Sequence, residues 1–498
     1  MSRPSTPTMS CEGGSPTHDD GGFQMYLDGY IAFMLIATAL VLMMTVPALA
    51  LFYGGMVRSK SVLNMMMLSF VAFVIAVIVF VLWGWSEGGW FSTAASANGT
   101  ALNPGNLNGK LIADPFYMFG LKHELPGNFV FVMFQMTFAA ITAALISGAI
   151  ADRVKISSWA IFVPFWLTLV YFPIAHNVWG GGWLFHHFPN LDYAGGTVVH
   201  INAGMAGLVL AIIIGKRVGW PKDVGKPHNV TLTMIGAGLL WFGWYGFNVG
   251  SIVQAAACTS TTKTATCDPS YSGSLVNGTW TPGSQFPSEM AVTFLNTTVA
   301  TAAACIAWLL VERIIHKKFT SLGAASGIVA GLVAITPSCG AVSTMGAIGV
   351  GVLAGAVCAV AINFKYKVGL DDSLDVVGVH LVGGILGALS IGFLGTRTSP
   401  QGLDGFFPDK ANGLFYGGDW ELLGHQAAGV LFTLVWCGVF TAILGLIIKY
   451  TIGWRVTADE EVEGIDIVEH GESAYDIDGR SGGILASLGS HTKEGATA

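Results

Sequence analysis

The stretch "DYAGGTVVHINAGMAGLVLAIIIGKR", from Asp192 to Arg217, places the imidazole of His200 inside a long run of apolar and small residues. A helix of about 20 such residues crosses the hydrocarbon core of a bilayer. An ionisable side chain at that depth is costly and often marks a functional site. A lone histidine in an apolar helix can also simply pack there and donate to a backbone carbonyl. The stretch alone therefore predicts a membrane helix and leaves the purpose of His200 open.

The composition of the whole chain agrees with this interpretation. Of 498 residues, 53% are hydrophobic and only 11% are charged, and the mean hydropathy is +0.62. These values are typical of a polytopic membrane protein and exclude an ordinary soluble one. The net charge of -7 comes largely from acidic residues after Trp454, and no basic patch interleaved with aromatic residues predicts a nucleic-acid partner.

Apolar stretches of sufficient length predict about eleven membrane-spanning helices. The eighth is interrupted by glycines and Pro337, which makes it the weakest of the set. The predicted spans lie near 29–53, 63–85, 128–150, 157–178, 194–215, 230–254, 288–312, 322–336, 344–364, 374–395 and 426–450.

Lysine and arginine fall in every second loop, and such loops are retained on the cytoplasmic side. The N-terminus is therefore expected outside and the C-terminus inside. The predicted organisation is a disordered extracellular extension over 1–27, an all-α integral membrane domain over 28–450 and a cytoplasmic regulatory tail over 451–498.

An internal repeat relates the two halves of the membrane domain. The sequence around His200 is V-V-H-I-N-A-G-M-A-G and the sequence around His380 is G-V-H-L-V-G-G-I-L-G, so glycine follows each histidine at the fourth and seventh positions. Five helices per half would make the second half enter the membrane in the opposite direction. An inverted repeat, about 28–217 and 230–395, with a long eleventh helix is therefore the predicted fold. The two histidines should face one another near the midplane.

Two repeat-related histidines favour a pore over simple packing. Burial disfavours the imidazolium, so each ring is expected to be neutral and to offer one donor and one acceptor. Such a pair suits a small polar molecule or a proton. It suits a permanent ion poorly, because these spans lack the rings of carbonyls or charges that ion filters use.

Groups on the expected outer side suit a small cation. Asp192 lies eight residues before His200, where it can cap the helix or provide a negative charge beneath the outer mouth. Aromatic faces near a hydroxyl group can hold an ammonium ion by cation–π attraction and hydrogen bonding. The aromatic and hydroxyl candidates are Phe134, Phe138, Trp179, Trp244, Phe247 and Ser251.

The chain resembles the Amt branch of the Amt/Mep/Rh family of ammonium transporters from about residue 28 to 476. The quoted stretch fits the long signature of that family. Five further segments agree with it: "PALALFYGGMVRSKSVLN", "PIAHNVWGGG", "GLLWFGWYGFNVGS", "DDSLDVVGVH" and "GIDIVEHGESAY".

The resemblance implies a plasma-membrane homotrimer with one pore per subunit, which takes up ammonium or methylammonium. The implied mechanism is recruitment of NH4+, its deprotonation, and conduction of NH3 with a relayed proton. By resemblance, the recruitment site is Trp179, Ser251, Phe138 and Asp192; the gate is Phe138 and Phe247; the pore pair is His200 and His380; and Phe134, Trp244 and Asp372 support them.

The resemblance implies no cofactor, no metal and no enzymatic activity. His186 and His187 lack further ligands at metal-binding spacing. Membrane lipid is an expected partner, and relatives in bacteria are blocked by PII-type regulatory proteins at the cytoplasmic face. The alternative function is an ammonium sensor with little flux, although the sequence after the last span shows no output domain.

Two further features of the expected outer loops stay open. Cys258 and Cys267 share the longest of these loops, where an oxidising compartment would permit a disulfide. Asn98 and Asn277 begin acceptor sequences for glycosylation, which matter only in a eukaryotic secretory pathway.

Overall fold

The computed structural model describes residues 28–89, 109–122, 124, 126–222, 225–252, 274–276, 279–281, 285–396 and 412–475. The predicted extension over 1–27, the residues Asn98, Cys258, Cys267 and Asn277, and the tail after residue 475 lie outside the described residues.

Helices dominate the described part of the chain, and ten of them are long and apolar enough to cross a membrane. An eleventh apolar helix is shorter. In chain order they are α1 (Ile31–Met56), α2 (Val62–Gly88), α3 (Phe129–Ile150), α4 (Ile156–His187), α5 (Gly196–Ile214), α6 (Val230–Gly250), α7 (Glu289–His316), α8 (Ser321–Ile335), α9 (Thr344–Val368), α10 (Val377–Leu394) and α11 (Trp420–Thr451).

The short helix α8 leaves the predicted count of eleven membrane spans unconfirmed. It has 15 residues, which is short of the about 20 that a membrane crossing needs. The helix ends at Ile335, directly before Thr336 and Pro337, and Pro337 has no N–H group with which to continue the helical hydrogen bonds. Ten spans are therefore found by length among the described residues, and the spanning role of α8 stays a prediction.

The remaining elements are short. Two three-residue strands, β1 (Ser274–Val276) and β2 (Thr279–Thr281), pair antiparallel between α6 and α7. Single 3₁₀ turns occur at Phe119–Leu121, Pro126–Asn128 and Leu414–Tyr416, and α12 (Ala458–Glu463) follows the last long helix. The prediction of a helical membrane fold is confirmed, with this hairpin as the one β element among the described residues.

The burial pattern fits a bundle surrounded by lipid. Large apolar side chains from the long helices fill a continuous core. Other large apolar side chains lie at the surface of the same helices: Val74 is 53% exposed, Phe165 55% and Ile314 69%. Large apolar side chains exposed along many helices are unfavourable in water and favourable against lipid chains.

The C-terminal segment packs against the starts of two long helices in the same chain. The carboxylate of Asp466 accepts hydrogen bonds from the backbone N–H groups of Leu63 and Asn64 at 3.0 and 2.8 Å. Glu469 accepts from the backbone N–H of Ile156 at 3.0 Å. Each acidic side chain thereby satisfies N–H groups that lack a partner within their own helix.

Candidate functional site

The two repeat-related histidines meet in the core of the bundle. His200 lies on α5 and His380 on α10, and their Nδ1 atoms are 3.4 Å apart. The ring centroids are separated by 5.4 Å. The two side chains are only 1% and 4% exposed. The sequence prediction that the two rings face one another is met by this geometry.

Each histidine sits in a π-helical turn. The turn Gly196–Ile201 opens α5 and the turn Val377–Leu381 opens α10. Such turns widen a helix locally and occur often at functional sites. Because both turns sit at the same place in the repeat, the two rings enter the core from equivalent backbone positions.

The glycine four residues after each histidine lets the two helices cross closely. A Cβ atom on Gly204 would lie 2.5 Å from the backbone nitrogen of Leu381. A Cβ atom on Gly384 would lie 2.9 Å from a side-chain carbon of Ile201. The contact is therefore reciprocal, since Leu381 and Ile201 each directly follow a histidine. This reciprocity is what a two-fold repeat axis between α5 and α10 requires.

A small cavity lies beside the two rings. Its volume is about 10 Å³, which is space for about one water-sized molecule. His200, His380 and Trp244 are the lining residues with a ring nitrogen; the other lining residues are Met44, Leu49, Phe52, Ile141, Leu145, Leu240, Phe247 and Val329. The cavity fits one small molecule and contains no carboxylate or ammonium side chain.

Aromatic rings lead from this cavity towards Trp179. Phe247 is 6.0 Å from His200 between ring centroids and stacks on Phe138 at 4.2 Å and 13°. Phe138 in turn meets Trp179 edge-on at 6.2 Å and contacts Phe134 at 4.9 Å. The rings predicted as recruitment site and gate thus form one continuous column that ends at the histidine pair.

The hydroxyl of Ser251 and the indole N–H of Trp179 each donate a hydrogen bond to a backbone carbonyl. The hydroxyl of Ser251 donates to the carbonyl of Phe247 at 2.8 Å, so its oxygen lone pairs remain available to an incoming donor. The indole N–H of Trp179 donates to the carbonyl of Asp192 at 2.8 Å. That bond fixes the indole, whose face is then available to a cation.

The carboxylate of Asp192 is a helix cap with four hydrogen bonds. Oδ1 accepts from the backbone N–H groups of Gly195 and Gly196, and Oδ2 accepts from those of Thr197 and Val198, at 2.5 to 3.0 Å. The side chain is 6% exposed. The capping role weighed from the sequence is therefore present in the structure, and it places a carboxylate at the Trp179 end of α5.

Asp372 repeats this arrangement at the opposite end of the pair. It lies eight residues before His380, as Asp192 lies eight residues before His200. Its two oxygens accept from the backbone N–H groups of Val376 and Val377 at 3.1 and 2.8 Å. The equal spacing was visible in the sequence and identifies Asp372 as the repeat partner of Asp192.

Comparison with known proteins gives the family. The sequence profile described as the Ammonium Transporter Family matches residues 32–475. The chain belongs to this family. It is 47% identical over 480 residues to a protein named Ammonium transporter from Mycobacterium tuberculosis strain H37Rv, with 92% of each chain covered. It is 41% identical over 454 residues to the Ammonium transporter of Bacillus subtilis strain 168, covering 90% of this chain and 98% of that one.

Solved structures agree with this membership in the ammonium transporter family. The crystal structure of Saccharomyces cerevisiae Mep2 matches with a TM-score of 0.68 and 30% identity, covering 86% of this chain and 88% of that chain. A structure titled Sensor Amt Protein matches with a TM-score of 0.70 and 25% identity, covering 89% and 98%. The chain is therefore a multi-pass membrane protein of the ammonium transporter family.

Sequence reasoning missed an ionic network on the tail side of this family member. The guanidinium of Arg217 bonds Asp371 at 2.8 Å and Asp152 at 3.0 Å, and Arg58 lies 3.9 Å from Asp152. Burial alone would raise the pKa of Asp371, but hydrogen bonds and charge from Arg217 outweigh it and hold that pKa below its usual range. The sequence indicates this network only indirectly, because its residues come from separate loops. The arginines entered the sequence argument only through the orientation of the loops.

Proposed function

We propose that this chain recruits NH4+ at Trp179, deprotonates it, and conducts NH3 past His200 and His380 while a proton is relayed separately, giving net ammonium uptake. The single observation that carries the proposal is the meeting of two buried imidazoles at a cavity of about one water molecule. A space of that size and polarity suits a neutral hydride such as NH3.

Recruitment uses the outer end of the aromatic column. The ring faces of Trp179 and Phe138 attract a cation through their quadrupoles, while the free lone pairs of Ser251 accept an N–H bond. The backbone carbonyl of Asp192 bonds the Trp179 indole, so the Asp192 carboxylate lies in the same region and contributes a negative charge that favours a cation over a neutral molecule. These groups support binding of the ammonium ion in its charged form.

Loss of a proton from the ammonium ion follows from the residues between the recruitment site and the histidine pair. The stacked rings of Phe138 and Phe247 are 4.2 Å apart between centroids, so they must move to admit even a small molecule. Beyond them the cavity lining is apolar apart from ring nitrogens. An ion that enters loses its hydration without gaining a counter-charge, which costs far more free energy than moving a neutral molecule. Ammonia therefore crosses this segment as NH3.

The histidine pair offers NH3 a hydrogen-bonding path. Nε2 of His200 is buried and finds no hydrogen-bond partner among the described residues, so it can bond to a molecule in the cavity. The two Nδ1 atoms, at 3.4 Å, are close enough to share one proton. Neutral rings can pass a proton by exchanging donor and acceptor nitrogens, which supports the proton relay.

The larger arrangement belongs to the same proposal. We expect eleven spans, with the Trp179 end outside and the tail inside, because the charged residues Arg58, Arg217 and Lys365 gather at the tail end as cytoplasmic loops require. A homotrimer and a PII-type regulatory protein at the tail face are the proposed partners. The predicted division into repeats is supported by the reciprocal crossing of α5 and α10.

An ammonium sensor is the second candidate function. It is favoured by the match to the structure titled Sensor Amt Protein. A sensor would keep the recruitment column and lose appreciable flux, so a measurement of flux separates the two functions.

Proteoliposomes containing the purified full chain provide the test. An inward ammonium gradient should produce an inward current, because NH3 and the relayed proton together carry one positive charge, while an equal potassium gradient should produce none. The variant carrying both His200→Ala and His380→Ala should lose the current. Potassium flux through the unmodified protein would refute deprotonation, and binding of ammonium without flux would favour the sensor.

A further inference from the structure

Trp244 forms one wall of the cavity at the histidine pair. Its ring stacks on His200 at 5.4 Å and 22° and contacts Phe247 at 5.3 Å. Because the cavity holds about one water-sized molecule, a small rotation of this indole changes both its width and the freedom of the His200 ring. The contacts that fix the indole therefore affect which molecules can pass the cavity.

The indole N–H of Trp244 is held from outside the pore. It donates to the hydroxyl oxygen of Thr336 at 2.8 Å. The hydroxyl of Thr336 donates in turn to the carbonyl of Leu332 at 2.7 Å, with Oδ1 of Asn248 as a second acceptor at 3.3 Å. The amide of Asn248 then donates to the hydroxyl of Thr297 at 3.0 Å.

These four side chains form a chain that we call the indole clamp, consisting of Trp244, Thr336, Asn248 and Thr297. Its members come from α6, from α7 and from the residue that follows α8. All four are at most 2% exposed. A buried polar network of this kind fixes one arrangement of its side chains, because any other arrangement leaves a donor or acceptor unpaired.

The clamp also touches the start of α5. Pro337, directly after Thr336, packs against Gly196, where a Cβ atom would lie 2.4 Å from the proline ring. The carbonyl of Pro337 accepts from the backbone N–H of Tyr193 at 3.1 Å. The end of α8 is thus fixed on one side by the π-helical turn that carries His200 and on the other by the Trp244 indole.

We propose that Thr336, supported by Asn248 and Thr297, is a positioning residue that fixes the Trp244 indole against His200 and thereby keeps the pore selective for ammonium over potassium. Among the described residues the hydroxyl of Thr336 bonds Trp244, Asn248 and Leu332 and neither imidazole, so in this role it acts through the indole. Without its hydroxyl the indole N–H has no acceptor, the ring turns, and the widened cavity admits water. Water in the cavity lowers the cost of passing a hydrated cation. The inference rests on the proposed function.

The test compares four single variants and the Thr336→Val/Trp244→Phe double variant in proteoliposomes by the ratio of ammonium to potassium flux and by the KM for ammonium. Thr336→Val removes the hydroxyl at nearly constant volume, and Thr336→Ser retains it. Trp244→Phe removes the indole N–H from the other side. Thr301→Val is the matched control, because Thr301 is also fully buried and, among the described residues, its hydroxyl bonds only the carbonyl of Thr297 in its own helix.

We expect Thr336→Val and Trp244→Phe each to lower the flux ratio about tenfold, as the loss of one buried hydrogen bond allows. The double variant should lose no more than either single variant, because both changes break the same bond. Thr336→Ser and Thr301→Val should stay within about twofold of the unmodified chain.

A Thr336→Val ratio within twofold of the unmodified protein would overturn the inference, as would an equal loss in Thr301→Val. Additive losses in the double variant would also overturn it. If the Val variant does not assemble, the comparison of Trp244→Phe with Thr336→Ser still decides: a loss in both, or in neither, contradicts the clamp. Absence of ammonium flux in the unmodified chain refutes the proposed function instead, so the two failures are distinguishable.

Discussion

His200 and His380 are paired through their Nδ1 atoms, and that pairing needs one Nδ1 to donate and the other to accept. A carboxylate at either position would replace a neutral imidazole with a fixed negative charge, which acts as a counter-ion for cations. We predict that His200→Glu lowers the ratio of ammonium to potassium flux by at least about tenfold, because a buried carboxylate attracts any small cation. Paired current recordings in ammonium and potassium solutions measure this ratio.

His186→Glu is the control for that experiment, since His186 is exposed and lies outside the cavity lining. It should leave the ratio unchanged. Ammonium-selective current of wild-type size in His200→Glu would show that the ring only packs.

The cap made by Asp192 uses both carboxylate oxygens. Asparagine is generally as good a cap as aspartate, which by itself predicts that Asp192→Asn keeps the fold and removes only the charge. Both oxygens, however, accept two N–H groups each. An asparagine has one oxygen, and its NH2 group would face two donors. We predict that Asp192→Asn lowers the free energy of unfolding by about 2 kcal/mol, measured as a lower Tm of the detergent-solubilised protein.

Asp419→Asn provides the matched comparison. Asp419 caps α11, where its Oδ1 accepts a hydrogen bond from the backbone N–H of Glu421; an asparagine oxygen can accept the same bond. Its Tm should therefore hardly change. Equal Tm values for Asp192→Asn and the unmodified chain would contradict the four-bond cap.

The sequence could identify most of the candidate site at this scale, because ionisable and aromatic residues stand out in apolar helices. The twin histidines and Asp192 were found that way. The clamp residues Thr336, Asn248 and Thr297 were not, since buried threonine and asparagine are common in membrane helices and only the fold brings these three together.

Helices α5 and α10 are elements whose crossing determines where the histidines meet. Gly204 packs on the backbone of Leu381, and a Cβ atom there would also lie 2.6 Å from the Cβ of Leu381. We predict that Gly204→Ala destabilises the protein by about 1–3 kcal/mol through overpacking and reduces ammonium flux by moving His380 away from His200. Thermal unfolding and flux at matched protein levels measure the two effects.

Gly238→Ala on α6 is the control substitution, because a Cβ atom at Gly238 meets nothing within 4 Å. Alanine has the higher helix propensity there, so Tm should stay level or rise. Loss of stability in Gly238→Ala alone would mean that the glycine-crossing argument is misplaced.

Element boundaries were predictable where the apolar stretch was long. The predicted span 230–254 is found as Val230–Gly250, and 322–336 as Ser321–Ile335. The π-helical turns at both histidines were not predicted, because one extra residue in a helical turn leaves the hydrophobic pattern almost unchanged. They depend on packing between α5 and α10.

Across the whole molecule, the loops at the tail end are joined by Arg217, Asp371 and Asp152. The pKa of Asp371 is held below its usual value by Arg217. A carboxyl group with a lowered folded-state pKa contributes stability above its unfolded pKa of about 3.9 and loses it as pH falls through the folded value. We predict that Asp371→Asn lowers the free energy of unfolding by about 3 kcal/mol at neutral pH, because it breaks a buried ion pair.

The pH profile gives the check on that prediction. The difference between the unmodified chain and Asp371→Asn should stay constant from about pH 8 to 5 and shrink only below about pH 4. Glu463→Gln, an exposed position on α12, should show no difference across the range. If the stability difference between the two proteins grew as the pH fell, its pH dependence would have the opposite sign and would refute the ion pair.

The C-terminal tail is anchored to the membrane domain by Asp466. Its carboxylate accepts from the N–H groups of Leu63 and Asn64, and His470 bonds the side chain of Asn64 at 3.0 Å. Asp466→Ala removes two bonds to the start of α2, so the tail should open more often. We predict that a protease cleaves the tail about tenfold faster in this variant, since cleavage follows the population of the open form.

Asp466→Asn retains one acceptor oxygen and should be cleaved at an intermediate rate, which gives an order of unmodified chain, Asn variant, Ala variant. Asp459→Ala is the control, because Asp459 is exposed in the first turn of α12 and no hydrogen bond joins its side chain to α2 among the described residues. The measurement is limited proteolysis of the intact protein, with the appearance of the shortened chain followed over time. Equal cleavage rates in all four proteins would show that the tail is held by its other contacts, such as Glu469 with Ile156 and Glu461 with Val218.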